Sequence, residues 1–176
     1  MREAAGAPIA VALAALGGWL RGNPLQLLDQ RAAIIDAALR LHDREVETLL
    51  AYWLDAGWRL LQVDEIAVGS EREAAFSLRY LARCAIATDA RAAIVVHNHP
   101  NGDPTPSDAD RHAADRTDAY LSFIGVPVLG HHVVARGGFG CIRTGVVERF
   151  ETMAAESTPV PDSRCPQCNQ LLEETT

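Results

Sequence analysis

The sequence lacks a hydrophobic run long enough to cross a membrane. No apolar stretch in its 176 residues approaches the roughly 20 residues that a transmembrane helix requires. Residues 8–16 are apolar and rich in alanine, but residues 1–3 make a poor positive region and residues 17–19 a poor cleavage site for a signal peptide. We therefore interpret residues 8–16 as a helix and expect a cytoplasmic protein.

Basic residues are too few for a dominant nucleic-acid surface. The chain has 16 lysine and arginine residues against 23 aspartate and glutamate residues, which gives a formal net charge of −7. Non-specific affinity for nucleic acid comes mainly from lysine and arginine, so nucleic acid is not an expected partner. With 48% hydrophobic and 22% charged residues and no internal repeat, the sequence predicts one compact domain with tails.

Cysteine is also scarce, and the one closely spaced pair lies in the last part of the sequence. Of the four cysteines, Cys165 and Cys168 have the CxxC spacing of half a tetrahedral zinc site. No second half follows, so a complete site would need ligands from elsewhere in the fold or from a second chain. Two interpretations stay open: a second metal site, or solvated thiols in a flexible acidic tail that we predict for residues 151–176.

Residues 1–43 have the pattern of an N-terminal helical segment. Pro24 suits the first turn of an amphipathic helix, and residues 40–43 are expected to end it. Apolar residues recur between them at three- and four-residue spacing, which predicts one buried helix face: Leu25, Leu28, Ala32, Ile35 and Leu39.

Residues 44–150 alternate between strand and helix patterns and are expected to form the main domain. The predicted strands are 47–54, 58–65, 91–98, 127–135 and 138–143, with a hairpin turn at 55–57. The predicted helices are 76–87, with Ser77 as a candidate N-cap, and 107–123. Strands with helices between them predict an α/β fold in which a mixed, curved sheet is covered by helices.

Two histidines follow the apolar run of residues 91–96, which predicts a buried strand. Side chains alternate along a strand, so His97 and His99 are expected on one face and Asn98 on the other. Two imidazoles on one face suit a metal such as zinc, which needs further ligands to complete a tetrahedron.

Asp110 is placed to supply the third ligand. Residues 101–106, NGDPTP, form a loop, and Ser107 has the type and position of a helix N-cap. Asp110 then lies in the first helical turn and faces the end of the strand. Two histidines and one aspartate leave a fourth position for water, which is typical of a catalytic zinc site. The simpler alternative is that Ser107 and Asp110 only cap the helix.

His-x-His, seven residues and Ser-x-x-Asp resemble the JAMM motif of the JAB/MPN metalloproteases. The sequence HNHPNGDPTPSDAD at 97–110 is similar to the bacterial RadC-like JAB branch, where HNHPSGDPxPSxxD is typical. The resemblance covers about residues 44–147. Further matches to that branch are Gly69-Ser70, Arg79, His131 and Arg143. Departures from its usual Glu, Asp, Ser and Glu are, in order, Tyr80, Gly130, Cys141 and Thr144.

The resemblance implies a JAB/MPN-type sandwich and a zinc metallopeptidase that cleaves an amide, peptide or isopeptide bond. Zn²⁺ held by His97, His99 and Asp110 would carry a water whose pKa falls toward ~7. The family takes its base from a glutamate on an early strand, and Glu47 fits the family pattern, eight residues before an aspartate. Glu45 is the alternative, because a slip of two residues keeps it on the same strand face.

The resemblance also implies roles for the groups beside the metal. Glu47 would take the proton of the attacking water and pass it to the leaving amine. Ser107 would help the metal to stabilise the oxyanion, in addition to capping the helix.

Two other functional classes remain as alternatives. A non-catalytic MPN-type interaction module is expected to have lost metal ligands, whereas this sequence keeps the whole set. A DNA repair-associated RadC-like factor is disfavoured by the acidic balance. It is also disfavoured because residues 1–43 show no glycine-rich hairpin between paired helices.

Overall fold

The computed structural model describes residues 30–41, 43–68 and 78–150. Three helices and six strands occupy these ranges. In chain order they are α1 (Gln30–Leu41), β1 (Thr48–Leu54), β2 (Leu60–Val68), α2 (Leu78–Ala87), β3 (Ala92–Asn98), α3 (Asp108–Phe123), β4 (Val128–Ala135), β5 (Gly138–Cys141) and β6 (Val147–Arg149). None of these helices is long and apolar enough to cross a bilayer.

The six strands form one mixed sheet in the order β2-β1-β3-β4-β5-β6. Neighbouring strands are antiparallel except β3 and β4, which run parallel and are joined by the crossover helix α3. The register pairs His97 of β3 with Leu49 of β1 on one side and with Val133 of β4 on the other. The α/β fold with a mixed sheet flanked by helices is therefore confirmed.

Helices cover both faces of the sheet, which explains why β1 and β3 are buried along their whole length. Side chains alternate along β1 between two core clusters. Those packed with α1 are Leu50, Tyr52 and Leu54, and those packed with α2 and α3 are Leu49, Ala51 and Trp53. The same alternation along β3 decides which residues face α3.

The buried face of α1 differs from the predicted one. Its buried residues are Ala33, Ile34, Asp36, Ala37, Ala38 and Leu41, whereas Ala32, Ile35 and Leu39 are only partly buried. Leu25 and Leu28 lie outside the described residues. Periodicity of the larger side chains misplaced the face, because α1 packs on the sheet largely through alanines. Its one buried charge, Asp36, accepts hydrogen bonds from Tyr52 Oη at 2.9 Å and Arg40 Nε at 2.5 Å.

Most predicted element bounds agree with the structure to within a few residues. β1 begins at residue 48 rather than 47, β2 spans 60–68 rather than 58–65, and β5 ends at 141 rather than 143. The short strand β6 was not predicted, because three residues of sequence VER show no usable periodicity. Ser77, the candidate cap of α2, lies outside the described residues. The division into segments 1–43, 44–150 and 151–176 stays a prediction.

Candidate metal centre

The carboxyl end of β3 carries two imidazoles on one face of the sheet. His99 follows the strand and continues its ladder, because its N–H donates to Val134 O at 2.9 Å. The Nε2 atoms of His97 and His99 lie 3.2 Å apart. Asn98, which is 3% exposed, turns to the opposite face. The alternation predicted from the sequence is confirmed.

A tight loop and a capped helix bring a carboxylate to the same place. In the loop, Asp103 N–H donates to Asn101 Oδ1 and Thr105 N–H donates to Asp103 Oδ1, both at 2.9 Å. Ser107 is the N-cap of α3 in a capping box: its N–H donates to Asp110 Oδ2 at 2.6 Å, and its Oγ accepts from Asp110 N–H at 3.1 Å. This box turns the Asp110 carboxylate back toward β3.

Strand register brings Glu47 to the imidazoles. The ladder of antiparallel β1 and β3 begins where Leu49 pairs with His97, and Glu47 lies two residues before Leu49. Opposed residues of antiparallel strands point to the same face. Glu47 Oε1 lies 3.7 Å from His97 Nε2, whereas Glu45 is exposed and does not belong to the cluster. The structure therefore places Glu47, and not its alternative Glu45, at this site.

The four side chains form a group that can bind a metal ion. One ligand atom from each of Glu47, His97, His99 and Asp110 lies within 4.8 Å of the others. Asp110 Oδ1 is 3.1 Å from His97 Nε2, and Asp110 Oδ2 is 3.4 Å from His99 Nε2. Ligands bound at about 2.0 Å to a tetrahedral zinc ion lie about 3.3 Å from one another. The two imidazoles have this spacing from each other and from an oxygen of Asp110, which is Oδ1 for His97 and Oδ2 for His99.

A backbone carbonyl determines the tautomer of His99. His99 Nδ1 lies 2.8 Å from Asp103 O, which can only accept a hydrogen bond, so the proton of the neutral ring must be on Nδ1. The lone pair of Nε2 is then directed into the cluster. A carbonyl on the far ring nitrogen is a common way to orient a metal-ligating histidine.

The two oxygens of Asp110 have different surroundings. Oδ2 accepts two short hydrogen bonds from Ser107, one from the backbone N–H and one from Oγ–H at 2.7 Å. Oδ1 has no donor from the cap and lies nearest to His97 Nε2. The cap therefore orients the carboxylate so that Oδ1 is the oxygen better placed to bind a metal.

Ionic contacts and hydrogen bonds affect the pKa values at this site more than burial does. Burial alone would raise the pKa of Asp110, but hydrogen bonds with the two imidazoles and the Ser107 hydroxyl hold it well below its usual value. Burial alone would lower the pKa of His99, but its contacts with Asp110 and with the Asp103 carbonyl raise it above its usual value. The carboxylate is thus ionised at neutral pH, and its negative charge favours a cation.

A second polar network lies on the same face of the sheet, where α3 packs on β4. His131 Nε2 is 2.6 Å from Asp118 Oδ1, and Arg143 pairs with both Asp118 and Asp115. Burial lowers the pKa of His131 to about 4. Arg143 offsets the negative charge of Asp118, so this carboxylate does not need a charged imidazole beside it. The neutral ring of His131 can then donate its Nε2–H to the carboxylate. These contacts hold α3 against β4 and so help to place the helix that carries Asp110.

His131 and Arg143 match the family in the sequence, but their partners Asp115 and Asp118 were not predicted. Asp118 lies eight residues after Asp110 on α3, which is about 80° past two full turns, so both residues fall within one helix stripe about 100° wide. This spacing was the signal in the sequence that could have identified Asp118 as a residue facing the sheet.

The predicted ligands and Glu47 thus meet in one place, with Ser107 bound to Asp110. Their individual roles as ligands, base and oxyanion donor remain predictions. Cys165 and Cys168 lie outside the described residues, so the CxxC site remains a prediction as well.

Comparison with known proteins identifies one family. A family profile described as RadC-like JAB domain matches residues 28–145. A UPF0758 protein of Aeromonas hydrophila is 38% identical over 117 residues, which is 66% of this chain and 51% of that protein. A UPF0758 protein of Burkholderia thailandensis is 37% identical over 129 residues, 73% of this chain and 48% of that protein. The chain spans about half the length of these curated relatives, and their names state no activity.

Proposed function

Because the chain belongs to the RadC-like JAB domain family, we propose that it is a zinc-dependent metallopeptidase that cleaves a peptide or isopeptide bond. The observation that carries the proposal is the convergence of His97, His99, Asp110 and Glu47 within 4.8 Å. Three ligands of this kind with a carboxylate beside them are typical of a hydrolytic zinc site. A structural zinc site is closed and uses four protein ligands.

Zinc fits the donor set and its spacing. His97 Nε2, His99 Nε2 and Asp110 Oδ1 would hold the ion, and a bound zinc ion lowers the pKa of water to about 7. The chain prepares these donors in advance: the Asp103 carbonyl orients His99, and the Ser107 cap orients Asp110.

Glu47 is the proton acceptor in this proposal. Its side chain is 19% exposed, so substrate and water can reach it, and its Oε1 lies beside His97. The carboxylate would take a proton as water attacks the carbonyl carbon, then protonate the amine as the C–N bond breaks.

Ser107 supports the same site in two ways. Its backbone N–H and its hydroxyl both donate to Asp110 Oδ2. The backbone N–H would still donate to Oδ2 while the hydroxyl rotates toward a developing oxyanion.

Metal content tests the first part of the proposal. Purified protein should contain about one zinc ion per chain by elemental analysis, and more only if Cys165 and Cys168 recruit further ligands. The triple variant His97→Ala, Cys165→Ser, Cys168→Ser should lose the ion, because the two assigned ligands that remain, His99 and Asp110, are too few to hold zinc tightly. Full zinc occupancy in the triple variant would contradict the ligand assignment.

Turnover tests the second part, with Glu45 as the matched control. On a panel of peptides and ubiquitin-like isopeptide conjugates, Glu47→Gln should keep its zinc and lose about 10²- to 10⁴-fold in rate. Glu45→Gln should hydrolyse like wild type, because Glu45 is exposed and lies outside the cluster. Zinc-loaded wild type that cleaves no member of the panel would favour the non-catalytic interaction module instead.

A further inference from the structure

We propose that Asn98 is a positioning residue that holds Glu47 at the metal centre from the opposite face of the sheet. The inference rests on the proposed function, in which Glu47 is the proton acceptor. It assigns a role to the residue between the two histidines, whose side chain does not enter the cluster.

Three hydrogen bonds join the Asn98 amide to the backbone on both sides of Glu47. Asn98 Oδ1 accepts from Thr48 N–H at 2.7 Å. Asn98 Nδ2 donates to Val46 O at 3.2 Å and to Arg44 O at 3.5 Å. The amide is buried, and the residues it contacts lie about 50 positions earlier in the chain.

Only a primary amide satisfies these partners. The Thr48 N–H needs an acceptor and the two carbonyls need donors, although Val46 O also accepts from Thr48 Oγ1 at 3.3 Å. The side chain of asparagine supplies both functions on adjacent atoms. The reversed amide would set its oxygen against two carbonyls, so the hydrogen-bond network determines its orientation. An aspartate at residue 98 would keep the acceptor and lose both donors.

The segment that carries Glu47 depends on this contact. Residues 43–47 precede β1 and have no regular secondary structure, and the ladder between β1 and β3 starts at Leu49. Arg44 is tied further only by its N–H to Leu41 O and by an exposed ion pair with Glu65, among the contacts described. The three metal ligands, in contrast, are held by β3, its loop and α3.

This separation predicts different effects on metal binding and on rate. In Asn98→Ala, zinc affinity should stay at the wild-type value, whereas loss of a direct support of a ligand lowers it about 10- to 100-fold. kcat should fall about 10²-fold with little change in KM, because the base is misplaced by about 1 Å. Adding Asn98→Ala to Glu47→Gln should not lower kcat any further. Asn98→Asp, which is isosteric, should reproduce the effect if the alanine variant does not fold.

A readout without turnover keeps this inference separate from the proposed activity. In Co²⁺-loaded protein with ¹³C-labelled glutamate, paramagnetic broadening of the Glu47 carboxyl carbon reports its distance from the metal. The broadening should be strong in wild type and in Gln62→Ala, an exposed amide on the edge strand β2, and weak in both Asn98 variants. Wild-type broadening in Asn98→Asp, or a loss of zinc affinity as large as the loss of rate, would overturn the proposal.

Discussion

Gly140 of β5 touches the loop that joins the two halves of the metal site. A Cβ at residue 140 would lie 2.2 Å from Pro104 O and 3.0 Å from Pro106 Cδ. Real Cβ atoms essentially never come closer than 3.0 Å to such neighbours, so Gly140→Ala must displace the loop by at least 0.8 Å. The nearest atom belongs to the backbone, and it cannot rotate away as a side chain can.

This displacement should affect both stability and metal affinity. Overpacking of this kind costs about 1–3 kcal/mol of folding free energy. For a domain of this size that is about 2–12 °C in the Tm of the metal-free protein. The same loop sets the distance between His99 and Asp110, so its shift should also weaken zinc binding about 10- to 100-fold, as loss of ligand support does.

Gly138→Ala is the matched control for the steric effect. A Cβ at residue 138 would lie 2.1 Å from Glu148 O, a backbone atom of β6 that is remote from the metal loop. Both variants should lose Tm in the presence of a chelator, but only Gly140→Ala should lose zinc affinity in a competition titration. Equal zinc affinity in the two variants would refute the claim that β5 supports the metal loop.

Three other substitutions test the core. Burial lowers the pKa of His132 from 6.5 to about 3, so its contribution to stability is complete above pH 6.5 and is lost as the pH falls. Between pH 7 and 4.5, the free energy of unfolding of wild type should fall by about 2 to 3 kcal/mol more than that of His132→Leu. Urea unfolding in the presence of a chelator measures this difference, and parallel pH profiles of the two proteins would contradict it. Phe150 is buried, and its ring lies 6.1 Å from that of Phe139. Phe150→Ala should therefore lower the free energy of unfolding by about 3–5 kcal/mol, whereas truncation after residue 150 should leave Tm nearly unchanged. Tyr52→Phe removes a buried donor to Asp36 and should cost about 1–3 kcal/mol; an unchanged free energy of unfolding would show that Asp36 needs no second donor.

Local patterns explain why much of the candidate site was predictable. The alternation of His97 and His99, the cap at Ser107 and the placement of Asp110 all depend on contacts within fourteen residues of sequence. Strand periodicity and helix capping act over that range, so the tertiary fold can do little to change them. The α/β class followed from the same kind of pattern, and the structure confirms it.

Contacts between distant segments were the ones that sequence reasoning could not determine. The choice of Glu47 over Glu45 needs the register of β1 against β3, and a shift of two residues leaves the sequence pattern unchanged. The buried face of α1 was misplaced because close packing through alanines leaves little signal in hydrophobic periodicity.

The sequence by itself determined the α/β class, the strand and helix that bear the histidines and Asp110, and the chemistry those residues offer. Only the tertiary structure decided that Glu47 rather than Glu45 joins them, that Asn98 bonds to the backbone beside Glu47, and that Asp118 meets His131. The reason is physical. Periodicity and capping are properties of neighbouring residues, whereas register and packing depend on how the sheet and its helices bury their apolar faces together.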